Sequence, residues 1–270
     1  MPVRTIGIIA GNGVYPETFA RAARKHAHDI RLVAAAFDDE TKSEFADEVD
    51  SIKWFKVGQL GKMISFFKSE GVDETVMVGQ IAPKNLFNLR PDLRTIGMLA
   101  KLKERNAESL FGGIGNELEK DGMPLISAVT FLDDHLAARG HIFGPKTKEQ
   151  AAFDADYGYK IAKESSRLDI GQSVVVREGT VLAVEAFEGT NECIKRGGAL
   201  GKKKNLTLCK VSKPNQDFRF DVPVIGALTL ETCKDAGVNQ IVVEAGCTLI
   251  LEPERVQELA QKYKITVKAL

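Results

Sequence analysis

The chain has 270 residues and balances 37 Lys and Arg against 37 Asp and Glu, which leaves no formal net charge. With 44% hydrophobic and 27% charged residues it is a globular chain rather than a disordered or fibrous one, long enough for one large domain or two of ordinary size. Zero net charge argues against a general nucleic-acid binder, which needs surplus cations against phosphate, and leaves room only for a local basic patch. No run approaches the roughly 20 apolar residues of a membrane span, and no signal peptide is recognisable before the first apolar run, so a cytoplasmic location is expected.

Apolar, β-prone runs alternate with helical patterns, which predicts an α/β protein with largely parallel sheets. Thr5–Ala10 reads as a strand, Glu17–His26 as a helix, and Ile30–Phe37 and Ser51–Phe55 as further strands. A helix with Leu60, Ile64 and Phe67 on one face runs to Gly71, and Thr75–Val78 is a fourth strand. Helices around Arg94–Lys103 and Ala107–Lys120 and a strand at Leu125–Val129 complete a Rossmann-like N-terminal half. The polar segment Asp133–Lys148, interrupted by Gly140, Gly144 and Pro145, marks the boundary between domains 1–135 and 136–270. Beyond it a helix is expected over Glu149–Glu164, then a hairpin of Ser173–Arg177 and Val181–Ala186 around Glu178-Gly179-Thr180. Leu206–Val211, Gln240–Glu244 and Ile265–Ala269 read as strands, and Leu230–Ala236 and Glu254–Tyr263 as helices. Cys193, Cys209, Cys233 and Cys247 form no C-x-x-C pair and read as small buried hydrophobes.

Four places carry possible chemistry. Gly11-Asn12-Gly13 joins the first strand to the first helix, where free backbone N–H groups can face a phosphate. Pro16 stands where a dinucleotide fingerprint needs its third glycine, so the turn reads as a nucleotide or anion cradle, or as a tight turn with no ligand. Lys202-Lys203-Lys204, after Gly197, Gly198 and Gly201, lacks the spacing and hydroxyl of a P-loop and reads as a solvated triplet or, if functional, as cations that meet a diphosphate. Lys213-Pro214-Asn215-Gln216-Asp217-Phe218-Arg219-Phe220-Asp221-Val222-Pro223 carries most weight. If it is extended, Asp217, Arg219 and Asp221 share one face. Carboxylates that hold a hard cation or orient water, beside cations that offset phosphoryl charge, are what diphosphate hydrolysis asks for. The bland alternative is a charged face of an edge strand. Last, Glu185 and Glu244 each end an apolar run just before a glycine turn, at the edge where open α/β sheets bind ligands.

Taken together, Gly7-Ile8-Ile9-Ala10-Gly11, Asp169-Ile170-Gly171-Gln172-Ser173, Val181-Leu182-Ala183-Val184-Glu185-Ala186, Glu188-Gly189-Thr190, Gln216-Asp217-Phe218-Arg219-Phe220-Asp221-Val222-Pro223 and Val243-Glu244-Ala245-Gly246 resemble the LpxI family of UDP-2,3-diacylglucosamine pyrophosphatases. The resemblance runs nearly end to end. It implies a two-domain α/β enzyme of lipid A synthesis with its substrate cleft between the domains. Such an enzyme would be cytoplasmic and peripheral at the inner membrane, homodimeric, and dependent on Mg²⁺ or Mn²⁺. It would cleave UDP-2,3-diacylglucosamine to UMP and 2,3-diacylglucosamine 1-phosphate (lipid X). The family's catalytic aspartate falls on Asp221, and Asn191 stands where the family pattern has Asp. On this reading Asp221 orients or deprotonates the attacking water, or binds the metal that does so. Asp217 and Glu244 complete the metal shell, and Arg219 and Lys213 stabilise phosphoryl oxygens. Gly11, Asn12, Gly13, Gln216, Thr190 and Glu188 contact the substrate, and Leu86, Phe87, Leu89, Ile96, Met98 and Leu99 are candidates for an acyl groove. The rival readings are a non-catalytic binder of UDP-linked lipids and a nicotinamide-dependent oxidoreductase.

Overall fold

A computed structural model describes residues 4–27, 29–81, 91–104, 106–146 and 149–270. The chain divides into two compact units, residues 1–132 with 217–221, and residues 133–216 with 222–270. The short segment Asp217–Asp221 therefore belongs to the first unit, although its sequence position assigns it to the second domain.

The first unit is built on β1 (Arg4–Ala10), β2 (Ile30–Phe37), β3 (Ser51–Phe55) and β4 (Glu74–Val78), all parallel in the order β3-β2-β1-β4. Helices α1 (Tyr15–His26) and α2 (Leu60–Ser69) make the β1-to-β2 and β3-to-β4 crossovers, and α3 (Leu93–Leu99) and α4 (Ala107–Lys120) follow β4. A parallel strand covered on both faces is apolar on both faces, and β2 is buried over nearly its whole length. Val33, Ala35 and Phe37 alternate onto the face that packs with Met63, Ile64 and Phe67 of α2 and Leu118 of α4. Asp92 caps α3 by accepting from the Thr95 N–H at 2.9 Å, and accepts from the Gly61 N–H of α2 at 2.7 Å, so one carboxylate ties the two helix starts together. The strand expected over Leu125–Val129 is reduced to a single bridge between Thr75 and Leu125, because the backbone beyond it turns away, with Phe131 in the left-handed region at φ 68°.

The second unit contains β5 (Gly140–Phe143), α5 (Glu149–Arg167), β6 (Ser173–Arg177), β7 (Thr180–Val184), α6 (Thr190–Leu200), β8 (Leu206–Lys210), β9 (Val224–Ile225), α7 (Ala227–Ala236), β10 (Val238–Val243), β11 (Leu249–Ile250), α8 (Pro253–Tyr263) and β12 (Thr266–Ala269). Six strands form a mixed sheet ordered β5-β12-β10-β8-β6-β7; its central β12, β10 and β8 are parallel, and β5, β6 and β7 join antiparallel. Helix α5 covers the face carrying Val174, Val176, Cys209 and Val242, while α6, α7 and α8 cover Val175, Leu208, Ile241 and Val243. Both carboxylate oxygens of buried Asp154 accept from the hairpin turn, from the Glu178 N–H at 2.9 Å and the Gly179 N–H at 2.7 Å. Cys193, Cys209 and Cys233 are buried and all four thiols are free; burial pushes the Cys193 thiol up to about 12. No helix among the described residues is long and apolar enough to cross a membrane.

Candidate active site

In the order β3-β2-β1-β4 the chain moves outward from β1 on one side and returns on the other, so the topological switch lies between the C-terminal ends of β1 and β4, where open α/β sheets bind ligands. Gly11-Asn12-Gly13 sits there, but its amides are not all free for an anion. Gly11 N–H donates to Val78 O at 2.8 Å, and Asn12 and Gln80 exchange backbone hydrogen bonds of 2.7 and 3.1 Å. The glycine at position 11 serves this approach of two strand ends. Gly13, at φ 95° with open space around its Cα, is left facing outward beside the exposed Asn12.

Just past the glycine turn, buried Tyr15 donates its hydroxyl to Ala128 O at 2.7 Å, and burial pushes its phenol above its ordinary range. Ala128 N–H in turn donates to Phe218 O at 2.8 Å. This relay ties the switch point to the segment that carries Asp221. That segment is a turn rather than the expected extended stretch: Phe220 N–H and Asp221 N–H both donate to Asp217 O, at 3.1 and 2.9 Å. The cause is local, since the Asp217 carboxylate also accepts from the Arg219 N–H at 3.1 Å and closes the backbone on itself. Asp217 and Arg219 then pair directly, Nε to Oδ1 at 2.9 Å and Nη2 to Oδ2 at 2.7 Å, and the guanidinium holds the Asp217 carboxyl below its ordinary range. Asp221, at the end of the turn, is half-buried.

Phe220, within the same turn, packs on Phe111 of α4 with ring centroids 5.9 Å apart. Phe111 also lines a small apolar pocket of about 90 Å³ with Ile9, Phe37, Met63, Met77 and Met98. Of the residues expected to form an acyl groove, Met98 and Leu99 line this pocket, Ile96 is exposed on the outer face of α3, and Leu86, Phe87 and Leu89 lie outside the described residues.

The remaining predicted residues lie in the second unit. Lys213 N–H donates to Gln216 Oε1 at 2.6 Å and Gln216 N–H returns to Lys213 O at 3.2 Å, closing a four-residue turn; the Lys213 ammonium pairs with Asp169. Thr190, at the start of α6, donates to Glu185 Oε1 at 3.0 Å, while Glu188 is exposed and paired with Arg196. Lys202, Lys203 and Lys204 are exposed. Glu244, immediately after β10, receives Lys163 Nζ at 3.0 Å on each oxygen, and Ser212 N–H and Oγ on Oε2 at 2.8 and 2.6 Å. Burial pushes the Glu244 carboxyl up, but Ser212 and Lys163 outweigh it and hold the group low.

Of the expected metal ligands, Asp217 and Asp221 lie in the first unit and Glu244 in the second. Asp217 is taken by Arg219 and Glu244 by Lys163 and Ser212, and among the described residues no three His, Cys, Asp or Glu side chains gather to hold an ion. The structure thus brings Gly11, Asn12, Gly13, Asp217, Arg219 and Asp221 into one unit and places Lys213, Gln216, Thr190, Glu188 and Glu244 in the other. Tyr15, Phe111, Lys163 and Ser212 escaped the sequence reading. Only Tyr15, directly after the glycine turn, left a local sign.

Fold and site define a two-unit α/β protein whose first unit sets an apolar pocket beside a turn bearing acidic and basic groups. The chain belongs to the LpxI family: the LpxI N-terminal domain matches residues 5–135 and the LpxI C-terminal domain residues 138–268. It is 31% identical to the UDP-2,3-diacylglucosamine pyrophosphatase LpxI of Caulobacter vibrioides over 94% of this chain and 93% of that one. Among solved structures it is similar to Rhizobium etli pyruvate carboxylase with acetyl coenzyme A, at 12% identity and a TM-score of 0.29 over 65% of this chain and 15% of that one. It is also similar to the biotin carboxylase domain of Hydrogenobacter thermophilus 2-oxoglutarate carboxylase, at 12% identity and a TM-score of 0.29 over 75% and 42%. Those two likenesses are too low to carry an argument.

Proposed function

We propose that this chain is a hydrolase that cleaves UDP-2,3-diacylglucosamine to UMP and 2,3-diacylglucosamine 1-phosphate in lipid A biosynthesis, by attack of water on one phosphorus of the diphosphate. Family membership supports the activity and the substrate. The observation that carries the reading is the contact of Phe111 with Phe220, which joins an apolar pocket to the turn ending in Asp221. An amphiphilic substrate asks for this pairing: an apolar lining for its lipid part beside ionisable groups for a diphosphate.

In this reading Asp221 takes the proton of the attacking water as its oxygen bonds to phosphorus, and the bridging oxygen leaves with the other phosphate. Arg219 and Lys213 offset the charge that gathers on the phosphoryl oxygens. Asn12 and Gly13, beside the strand-end stitch at Gly11, hold part of the UDP moiety, and Gln216, Thr190 and Glu188 contact the remainder. A Rossmann-like first domain, a substrate cleft between the domains, a peripheral membrane location and a homodimer belong to the same proposal on family membership alone. So does a requirement for Mg²⁺ or Mn²⁺. A nicotinamide cofactor has no support: the amides of Gly11 and Asn12 are spent on β4 and its extension.

The test is UMP release from UDP-2,3-diacylglucosamine, with and without EDTA, by the native protein and by Asp221→Asn. Native protein should release UMP, and the isosteric variant should turn over roughly 10²–10⁴-fold more slowly, as expected for loss of a positioned base. Binding without UMP release in the presence of either metal, or near-native turnover by a folded Asp221→Asn protein, overturns the assignment.

A further inference from the structure

We infer that Lys163, Glu244 and Ser212 form a clamp that positions Lys213 for phosphoryl stabilisation, which makes Glu244 a positioning residue and not a metal ligand. The inference rests on the role proposed above for Lys213.

The clamp closes on the backbone immediately before Lys213. Val211 N–H donates to Gln172 O at 3.0 Å, which extends the pairing of β8 by one residue. Ser212, 4% exposed, is then held from two sides. Its N–H and Oγ donate to Glu244 Oε2, and its carbonyl accepts from Lys163 Nζ at 3.0 Å. Lys163 also donates to both oxygens of Glu244, so one ammonium and one carboxylate fix both the donor and the acceptor of a single peptide residue. Ser166, on the next turn of α5, adds a longer contact to the same carbonyl at 3.4 Å. With the backbone direction at Ser212 set, the reciprocal turn between Lys213 and Gln216 fixes where the Lys213 side chain starts.

The apolar packing at this point does not by itself call for charged groups. The surrounding strand ends are already apolar, with Val211, Val242 and Val243 fully buried. A partly buried ion pair is a weak source of folding energy, and apolar residues of similar size often serve as well. What the charged network adds is a fixed geometry at Ser212. The Lys213 side chain is itself largely buried, and its ammonium is paired with Asp169. The Asp169 side chain is 55% exposed against 23% for Lys213, so this carboxylate stands on the solvent side of the ammonium, where a phosphate would compete with it.

The experiment is a double-mutant cycle on UMP release with Glu244→Ala and Lys213→Ala, read as separate kcat and KM values with a Mg²⁺ titration of each protein. Glu244→Ala should lower kcat about 10–100-fold with KM within about 3-fold, because it removes a contribution made in the transition state. On the Lys213→Ala background the same change should cost less than about 3-fold, since both act through one ammonium. Glu244→Gln, which keeps an acceptor for Ser212, should recover part of the rate, and half-maximal Mg²⁺ should stay at the native value. Where Glu244→Ala does not fold, Ser212→Ala, which removes one hydroxyl, carries the same cycle. A raised Mg²⁺ requirement makes Glu244 a ligand and overturns the inference. Full additivity with Lys213→Ala, when Lys213→Ala is itself slow, also overturns it and leaves the proposed function standing. Near-native turnover of Lys213→Ala removes Lys213 from that reading and takes the clamp's role with it.

Discussion

A methyl group added at Gly11 would stand 2.7 Å from both the carbonyl oxygen of Gln80 and the carbonyl carbon of Gly79, backbone that cannot swing aside. At Gly13 the same addition meets nothing within 4 Å, and the obstacle is the positive φ of 95°. Gly11→Ala should therefore part the ends of β1 and β4 and destabilise by about 1–3 kcal/mol, the usual cost of overpacking. Gly13→Ala should cost about 1–2 kcal/mol from backbone strain and leave the strand ends in place. Urea midpoints measure the costs. Amide exchange at Gly11 and Asn12 separates the causes, rising locally for the first variant and not for the second. Glu244 yields a prediction of a different kind. Its folded-state pKa lies below the ordinary 4.5, so its stabilisation is present above that pH and fades as pH falls through the folded value. The stability gap between native protein and Glu244→Gln should be widest near neutrality and should shrink below about pH 4.5, measured by urea unfolding at stepped pH; a gap constant from pH 7 to pH 3 would contradict it.

Among the elements, α6 shows best how a sequence signal can mislead. No helix is expected over Gly197, Gly198 and Gly201 before the three lysines, yet these glycines lie in and just after one. They are there for proximity: a Cβ at Gly197 would lie 2.7 Å from Val175 Cβ, and one at Gly198 2.7 Å from Ala236 Cβ. Alanine at Gly198 gains about 1 kcal/mol of helix propensity. That gain is smaller than the cost of pushing α6 off α7, so Gly198→Ala should lower the melting temperature by several degrees despite being the better helix former. A raised melting temperature would show that the packing can give. The strands were legible because buried parallel strands are continuous apolar runs, as in Ile30–Phe37, and the hairpin was legible from Glu178-Gly179 between two β-prone runs. The alternation of Asp217, Arg219 and Asp221 pointed the wrong way, since period-two spacing assumes extension and the Asp217 side chain folds its own backbone into a turn. The acidic and basic content of the site was still readable there. Its support was not: Lys163 reaches Glu244 across 81 residues of sequence, and no local pattern announces such a partner.

For the whole molecule, the first unit is not a continuous piece of chain. It runs to Leu132 and is completed only by Asp217–Asp221. Those five residues give the Ala128 amide its acceptor and set Phe220 against the core cluster that includes Leu118 and Met123. A chain ending at Leu132 lacks both, which leaves a buried-type donor without a partner and the face of Phe111 uncovered. Phe220 is only partly buried, so its packing is worth somewhat less than the roughly 1.5–3 kcal/mol of a fully buried aromatic. The fragment 1–132 should therefore bind a hydrophobic dye more strongly than the full chain. Its Ala128 amide should exchange near the unprotected rate, while the amides of β1 and β2 keep their protection. Phe220→Ala in the full chain is the milder form of the same change: it should leave the second unit's exchange pattern untouched, lower protection at Ala128, and slow UMP release by loosening the turn that holds Asp221. A fragment whose Ala128 amide stays as protected as in the full chain would mean that residues 217–221 rest on the first unit without completing it, and activity would then survive Phe220→Ala.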